Sequence, residues 1–223
     1  MVNKIYNADC IEFMREMSAN GVNLALTDIP YNEVNQNEVK NKKGIRILDK
    51  GDADILTFDL TEFLDEVYRV SKDIIIIFCG KGQFSEIYNY FTAKNGTTRA
   101  LVWEKTNPCP MNAEKLYLSG IELAVWFRKP NSKAFNAFCK NTVFRHPCGS
   151  SKLHPTEKNH ALLKELILDN SNFSDLVFDP CCGSGSTLIC AKELGRDFLG
   201  CDISEKYAKL SEKRVKKAIR ALM

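Results

Sequence analysis

Residues 177–188, VFDPCCGSGSTL, constrain this chain more than any other segment. A short apolar strand runs into a turn carrying Gly183 and Gly185, and the turn opens a helix. Glycines there permit tight backbone geometry and close approach of a ligand, while the helix N-terminus offers unpaired amides. Asp179 precedes the turn, and Asp202 ends the next strand, seventeen residues after Gly185. An acid in that place can bind ribose hydroxyls, as in doubly wound nucleotide sites. The third glycine of the dinucleotide fingerprint is missing, and no Gly-Lys-Ser/Thr follows, so neither that fingerprint nor a phosphate loop is present. A glycine turn alone is often only structural; the two flanking acids point to an adenosyl group.

Strand-like and helix-like segments alternate along the rest of the chain. Strands are expected at 4–7, 22–27, 74–79, 98–104, 122–128, 176–178 and 198–201. Helices are expected at about 11–17, 61–70, 82–92, 157–168, from the glycine turn to 194, and in the basic C-terminal stretch. This alternation implies an α/β fold: a mostly parallel seven-stranded sheet with helices on both faces. A length of 223 residues suits a single domain, 1–223. Residues from about 32 to 56 read as a polar, mobile loop, and 129–153 as an irregular insertion. The longest apolar run, 74–78, is far too short to span a bilayer. The start Met1-Val2-Asn3-Lys4 carries no charged-then-apolar leader, and the nine cysteines show no paired spacing. Reduced thiols and a cytoplasmic location are therefore expected. Cys139, His146, Cys148 and His154 lie close in sequence without a C-x-x-C pair, so no metal is expected.

A second constellation is Asp28-Ile29-Pro30-Tyr31, where a buried strand emerges at its carboxyl end, the edge at which open parallel sheets bind ligands. An exocyclic amine on adenine or cytosine is a poor nucleophile, because its lone pair is delocalised into the ring. Two acceptors, the Asp28 carboxylate and the Ile29 carbonyl, could hold its hydrogens and favour a tetrahedral nitrogen. Pro30 would fix the turn, and Tyr31 would stack on the base. The plainer alternative is a strand-ending turn with a buried tyrosine. Charge is uneven: residues 128–158 carry seven Lys/Arg against one acid, and 204–223 seven against two. Such clusters suit a polyanion, or simply a solvated face.

Five segments together resemble the amino-methyltransferases of DNA, in the β-class order that places the catalytic motif before the cofactor motif. Asp28-Ile29-Pro30-Tyr31 is similar to that family's D-P-P-Y, with Ile29 replacing the first proline. Residues 179–187 resemble D-P-F-x-G-S-G-T-T, and His154-Pro155-Thr156-Glu157-Lys158 resembles H-P-T-Q-K. Ala8-Asp9-Cys10 resembles G-D-C, and Trp103 with Lys105, Asn107 and Pro108 resembles W-x-K-x-x-P.

The resemblance implies a Rossmann-like methyltransferase fold with circularly permuted motif order, using S-adenosylmethionine. It places methyl transfer at Asp28, Ile29, Pro30 and Tyr31. Asp179, Cys181, Gly183, Ser184 and Gly185 would wrap the methionine part of the cofactor, Asp202 the ribose hydroxyls, and Asp9 the adenine. Thr156 and Lys158 would sit at the cofactor's amino-acid end. The substrate would be DNA with a flipped-out or single-stranded target base, methylated at adenine N6. The aspartate at position 28 resembles the adenine-modifying members; cytosine N4, RNA, a protein amide and a non-catalytic DNA-binding role are the alternatives. Lys129, Lys133, Lys140, Arg145 and Lys152 are expected to touch phosphates. The recognition region, 129–153 with the DNA-facing loop at 32–56, is short. That implies a short target sequence or a second subunit, as in a homodimer, and a restriction–modification setting.

Overall fold

A computed structural model describes residues 2–31, 56–108, 114–115, 117–149 and 157–221. The elements run β1 (Lys4–Asn7), α1 (Cys10–Arg15), β2 (Val22–Asp28), α2 (Leu60–Val70), β3 (Ser71–Cys79), α3 (Lys81–Thr92) and β4 (Thr97–Lys105). They continue β5 (Ile121–Arg128), β6 (Val143–His146), α4 (His160–Asn170), β7 (Leu176–Asp179), α5 (Ser186–Glu193), β8 (Asp197–Asp202) and α6 (Glu205–Lys217). Among the described residues, no helix is long and apolar enough to cross a membrane.

The strands form one sheet in the order β1-β8-β7-β2-β3-β5-β4-β6. Its first five strands are mutually parallel; β5 runs antiparallel to both β3 and β4, and β6 runs parallel to β4. The isoleucine run of β3 follows from burial on both faces. Ile74, Ile76 and Phe78 join the core beneath α4, α5 and α6, whereas Ile75, Ile77 and Cys79 join the core beneath α1, α2 and α3. Burial of this kind is worth about 25 cal/mol for each Å² of apolar surface, so a polar group within residues 74–78 would be strongly disfavoured.

The sheet has eight described strands where seven are expected. The extra one, β6, falls inside the 129–153 stretch expected to be irregular. It holds four residues and buries one, Phe144, too little to leave a periodic pattern. Helix α4 begins three residues later than expected, because Asn159 caps it by accepting from the Ala161 and Leu162 amides. Glu157 and Lys158 therefore precede the helix and turn their side chains elsewhere. The loop expected at 32–56 lies almost wholly outside the described residues.

Chain order diverges between β2 and β7. From β2 the chain goes on to its neighbour β3, and from β7 to β8 on the opposite side. In a doubly wound sheet this divergence opens a crevice at the carboxyl ends of the two strands. Asp28 ends β2 and Asp179 ends β7.

Candidate active site

The two constellations meet at that crevice. The Thr27 hydroxyl donates to Asp179 Oδ1 at 2.8 Å, and the Cys181 amide donates to the same oxygen at 3.2 Å. Burial pushes the Asp179 carboxyl up to about 7, despite hydrogen bonds from Thr27, Thr187 and Cys181; the Asp28 charge adds to the rise. Beyond it, Gly183 and Gly185 have φ of +48° and +83°. At Gly185 a Cβ would lie 2.2 Å from the Ser211 hydroxyl oxygen, so only glycine fits between α5 and α6. Asp202 clamps the turn from β8: Oδ2 accepts from the Gly183 amide at 2.8 Å and Oδ1 from the Ser204 amide at 2.9 Å. Ser184 is buried, and its carbonyl accepts from Arg214. Asp9 caps α1 by accepting from the Ile11 and Glu12 amides, and borders an open cavity shared with Phe58, Asp59 and Glu62. The Cys181 thiol is pushed well up by a hydrogen bond with Cys10 and by burial, so it stays protonated and unreactive.

On the β2 side, the Ile29 amide extends the ladder to the Phe78 carbonyl, and its side chain is buried. Gln83 holds the turn: its amide donates to the Pro30 carbonyl at 2.9 Å while its oxygen accepts from the Gly80 amide. The Asp28 carboxylate is split between two situations. Oδ2 pairs with the Lys158 ammonium at 2.7 Å, whereas Oδ1 is buried and has no hydrogen-bond partner among the described residues. Burial pushes this carboxyl up, and Lys158 opposes the rise. Tyr31 donates its hydroxyl to Glu122 at 3.2 Å and accepts from Lys158 at 2.7 Å.

Lys158 and Glu122 were not placed here by the motifs. Lys158, expected at the cofactor's amino-acid end, instead packs against Asp28, Glu122 and Tyr31. Its ammonium lies 4.9 Å from the centre of the Phe78 ring and 5.1 Å from that of Tyr31. The side chain that does reach the glycine turn is Glu157. It accepts from the Ser186 hydroxyl at 2.7 Å and pairs with Arg214. Glu122 left one signal in the sequence, a lone acid directly before the apolar run 123–127 of β5. Thr156 and Lys152 lie outside the described residues.

Three of the lysines expected to touch phosphates lie away from Asp28. Because β5 is antiparallel, its end leaves the sheet at the edge opposite Asp28. The Lys129 amide bonds the Asp73 carbonyl, five residues before Phe78, the register partner of Asp28. At about 3.3 Å per residue this puts Lys129 roughly 16 Å from the edge that carries Asp28. Its ammonium donates to Asn20 and covers the Tyr68 ring. Lys133 follows on the same edge. Lys140 pairs with Glu165 and Asp169, near the far end of α4. Arg145 lies near the catalytic edge on β6, paired with Glu104 and well exposed.

Comparison with known proteins agrees with this geometry. A family model described as DNA methylase matches residues 130–213, which contain the glycine turn. The chain is 26% identical to the Type II methyltransferase M2.DpnII of Streptococcus pneumoniae, over 95% of this chain and 88% of that one. It is 27% identical to the Type II methyltransferase M2.MboI of Moraxella bovis, over 94% and 86%. The M1.HpyAVI–SAM complex superposes with a TM-score of 0.73 at 25% identity, covering 95% of this chain and 98% of the other. The cytosine-N4-specific PvuII DNA methyltransferase shares the fold, with a TM-score of 0.69 at 16% identity, covering 96% and 90%. With the glycine turn and the Asp28 tetrapeptide joined at one crevice of a Rossmann-like sheet, the chain is similar along nearly its whole length to S-adenosylmethionine-dependent DNA methyltransferases.

Proposed function

We propose that this chain methylates the N6 amine of adenine in DNA. The observation that carries the reading is Asp28 Oδ1, buried and unpartnered among the described residues at the β2–β7 crevice, directly beside the cofactor turn. A buried carboxylate oxygen without a donor is costly unless a ligand supplies one.

The residues present suit S-adenosylmethionine. Asp202 faces the glycine turn as a partner for ribose hydroxyls, and Asp9 borders the cavity assigned to the adenine. Asp179, Cys181, Gly183, Ser184 and Gly185 surround the methionine part, and Thr156 follows from the resemblance alone. When bound, the cofactor supplies a methyl group already activated on a sulfonium. The protein's part is alignment and electrostatics. Asp28 Oδ1 and the Ile29 carbonyl accept the two amine hydrogens. Asp28 would take up the proton that the amine gives up on methylation. Pro30 fixes the turn and Tyr31 presents its ring to the base. The amine is out of reach inside a duplex, so the base is extruded or the strand is single. Arg145 and Lys152 are the phosphate contacts this reading retains, and the relatives suggest a restriction–modification setting.

Incubation with methyl-labelled S-adenosylmethionine and DNA, followed by nucleoside analysis, tests the reading. Label in N6-methyl-2′-deoxyadenosine supports it. Label in N4-methylcytosine overturns the choice of base, and label only in RNA or protein overturns the choice of substrate.

A further inference from the structure

Nothing in the motifs assigns Glu122 a task, yet it is the hub of a buried charge cluster. Its Oε1 pairs with Lys105 at 2.8 Å, and its Oε2 with Lys158 at 2.7 Å. Lys158 has three N–H donors. All three are spent at 2.7 Å, on Asp28 Oδ2, Glu122 Oε2 and the Tyr31 hydroxyl. Two lysines balance two carboxylates, and Lys158 itself is 8% exposed. Removing one member of such a set strands its partner in a poorly solvated place.

We propose that Glu122 and Lys158 are a positioning pair for the methyl-accepting site: Glu122 fixes the Lys158 ammonium, which occupies Asp28 Oδ2 and leaves Oδ1 to the target amine. This rests on the reading of Asp28 as the amine's acceptor. It also removes Lys158 from the cofactor's amino-acid end, since its ammonium has no N–H left to give. Lys158 and, more weakly, the Tyr31 hydroxyl from the following turn oppose the effect of burial on Asp28, while the Glu122 charge adds to it and Asp179 faces it from β7. Glu122 itself would be pushed up by burial, but Lys158 and Lys105 outweigh this and hold it at about 2. It therefore stays charged at every pH where the enzyme works.

The test is the pH dependence of single-turnover methyl transfer, with cofactor affinity measured in parallel. Lys158→Met should slow transfer at neutral pH by about 100-fold and move the acid limb up by about one pH unit or more. Affinity for S-adenosylmethionine should stay within about three-fold. Lys158→Arg should return the limb towards its original position. Glu122→Gln should move the limb the other way, to lower pH, because it removes a negative neighbour of Asp28 while an amide oxygen still meets Lys158. A merely structural role would not produce opposite shifts. An unmoved limb in Lys158→Met with cofactor affinity weakened more than about ten-fold would overturn the proposal and return Lys158 to the cofactor. If Lys158→Met fails to fold, Lys158→Arg and Glu122→Gln decide: the first should keep the limb near its native position and the second should move it to lower pH, and coincident limbs overturn the proposal. Asp28→Ala separates the two readings: transfer surviving there sinks the acceptor assignment itself, whatever the limbs do.

Discussion

Asp179 is ionisable, buried and held by donors, so its replacement by asparagine isolates one electrostatic effect. The amide oxygen can keep the Thr27 and Cys181 hydrogen bonds, while the charge is gone. In the native chain burial raises the carboxyl to about 7, against an ordinary value near 4 in the unfolded chain. A carboxyl whose folded value is raised contributes stability that is complete below about pH 4 and is lost as pH rises towards 7. The whole effect corresponds to a ceiling of about 4 kcal/mol, at about 1.36 kcal/mol per pH unit. Between pH 5 and 8, the native chain should lose about 2.5 kcal/mol relative to Asp179→Asn. Urea unfolding of both proteins at pH 5, 6, 7 and 8 measures this difference directly, and groups that titrate alike in both cancel. A native-minus-variant difference that stays flat across the series would refute the argument.

The remaining expectations concern the site and the surface. Asp179 also couples cofactor binding to pH: a bound sulfonium favours the ionised carboxylate, so affinity should tighten from pH 6 to 8. Calorimetry in buffers of different ionisation enthalpy should show proton release near pH 7. Asp28→Ala should retain cofactor binding by equilibrium dialysis and lose transfer by about 10³-fold, since the acceptor used in the reaction is removed. Gly185→Ala should lose cofactor binding and about 1–3 kcal/mol of stability, from a left-handed residue and a contact on Ser211. Adding Ser211→Ala should recover part of the stability in a thermal melt. Alanine at Lys129 and Lys133 should leave DNA affinity and its salt slope unchanged in anisotropy titrations, because both lie on the edge away from Asp28.

What could be read in advance was whatever depends on strand ends and local turns. Asp28 and Asp179 each close an apolar run, and Gly185 sits where a strand passes into a helix, so their shared edge followed from pattern alone. Strand direction is different, because an apolar run looks the same in either orientation. The antiparallel course of β5 has two consequences that no spacing rule exposes. It sends residues 129–140 out at the far edge, which carries three lysines away from Asp28. The same reversal brings the beginning of β5 to the catalytic edge, where Cys79 of β3 is the register partner of Leu123 and Phe78 that of Ala124. Were β5 parallel to its neighbours, Glu122 near its start would emerge at the far edge and Lys158 would lack its second carboxylate. The acid that anchors the site and the bases missing from its rim thus have one cause, the reversal of a single strand.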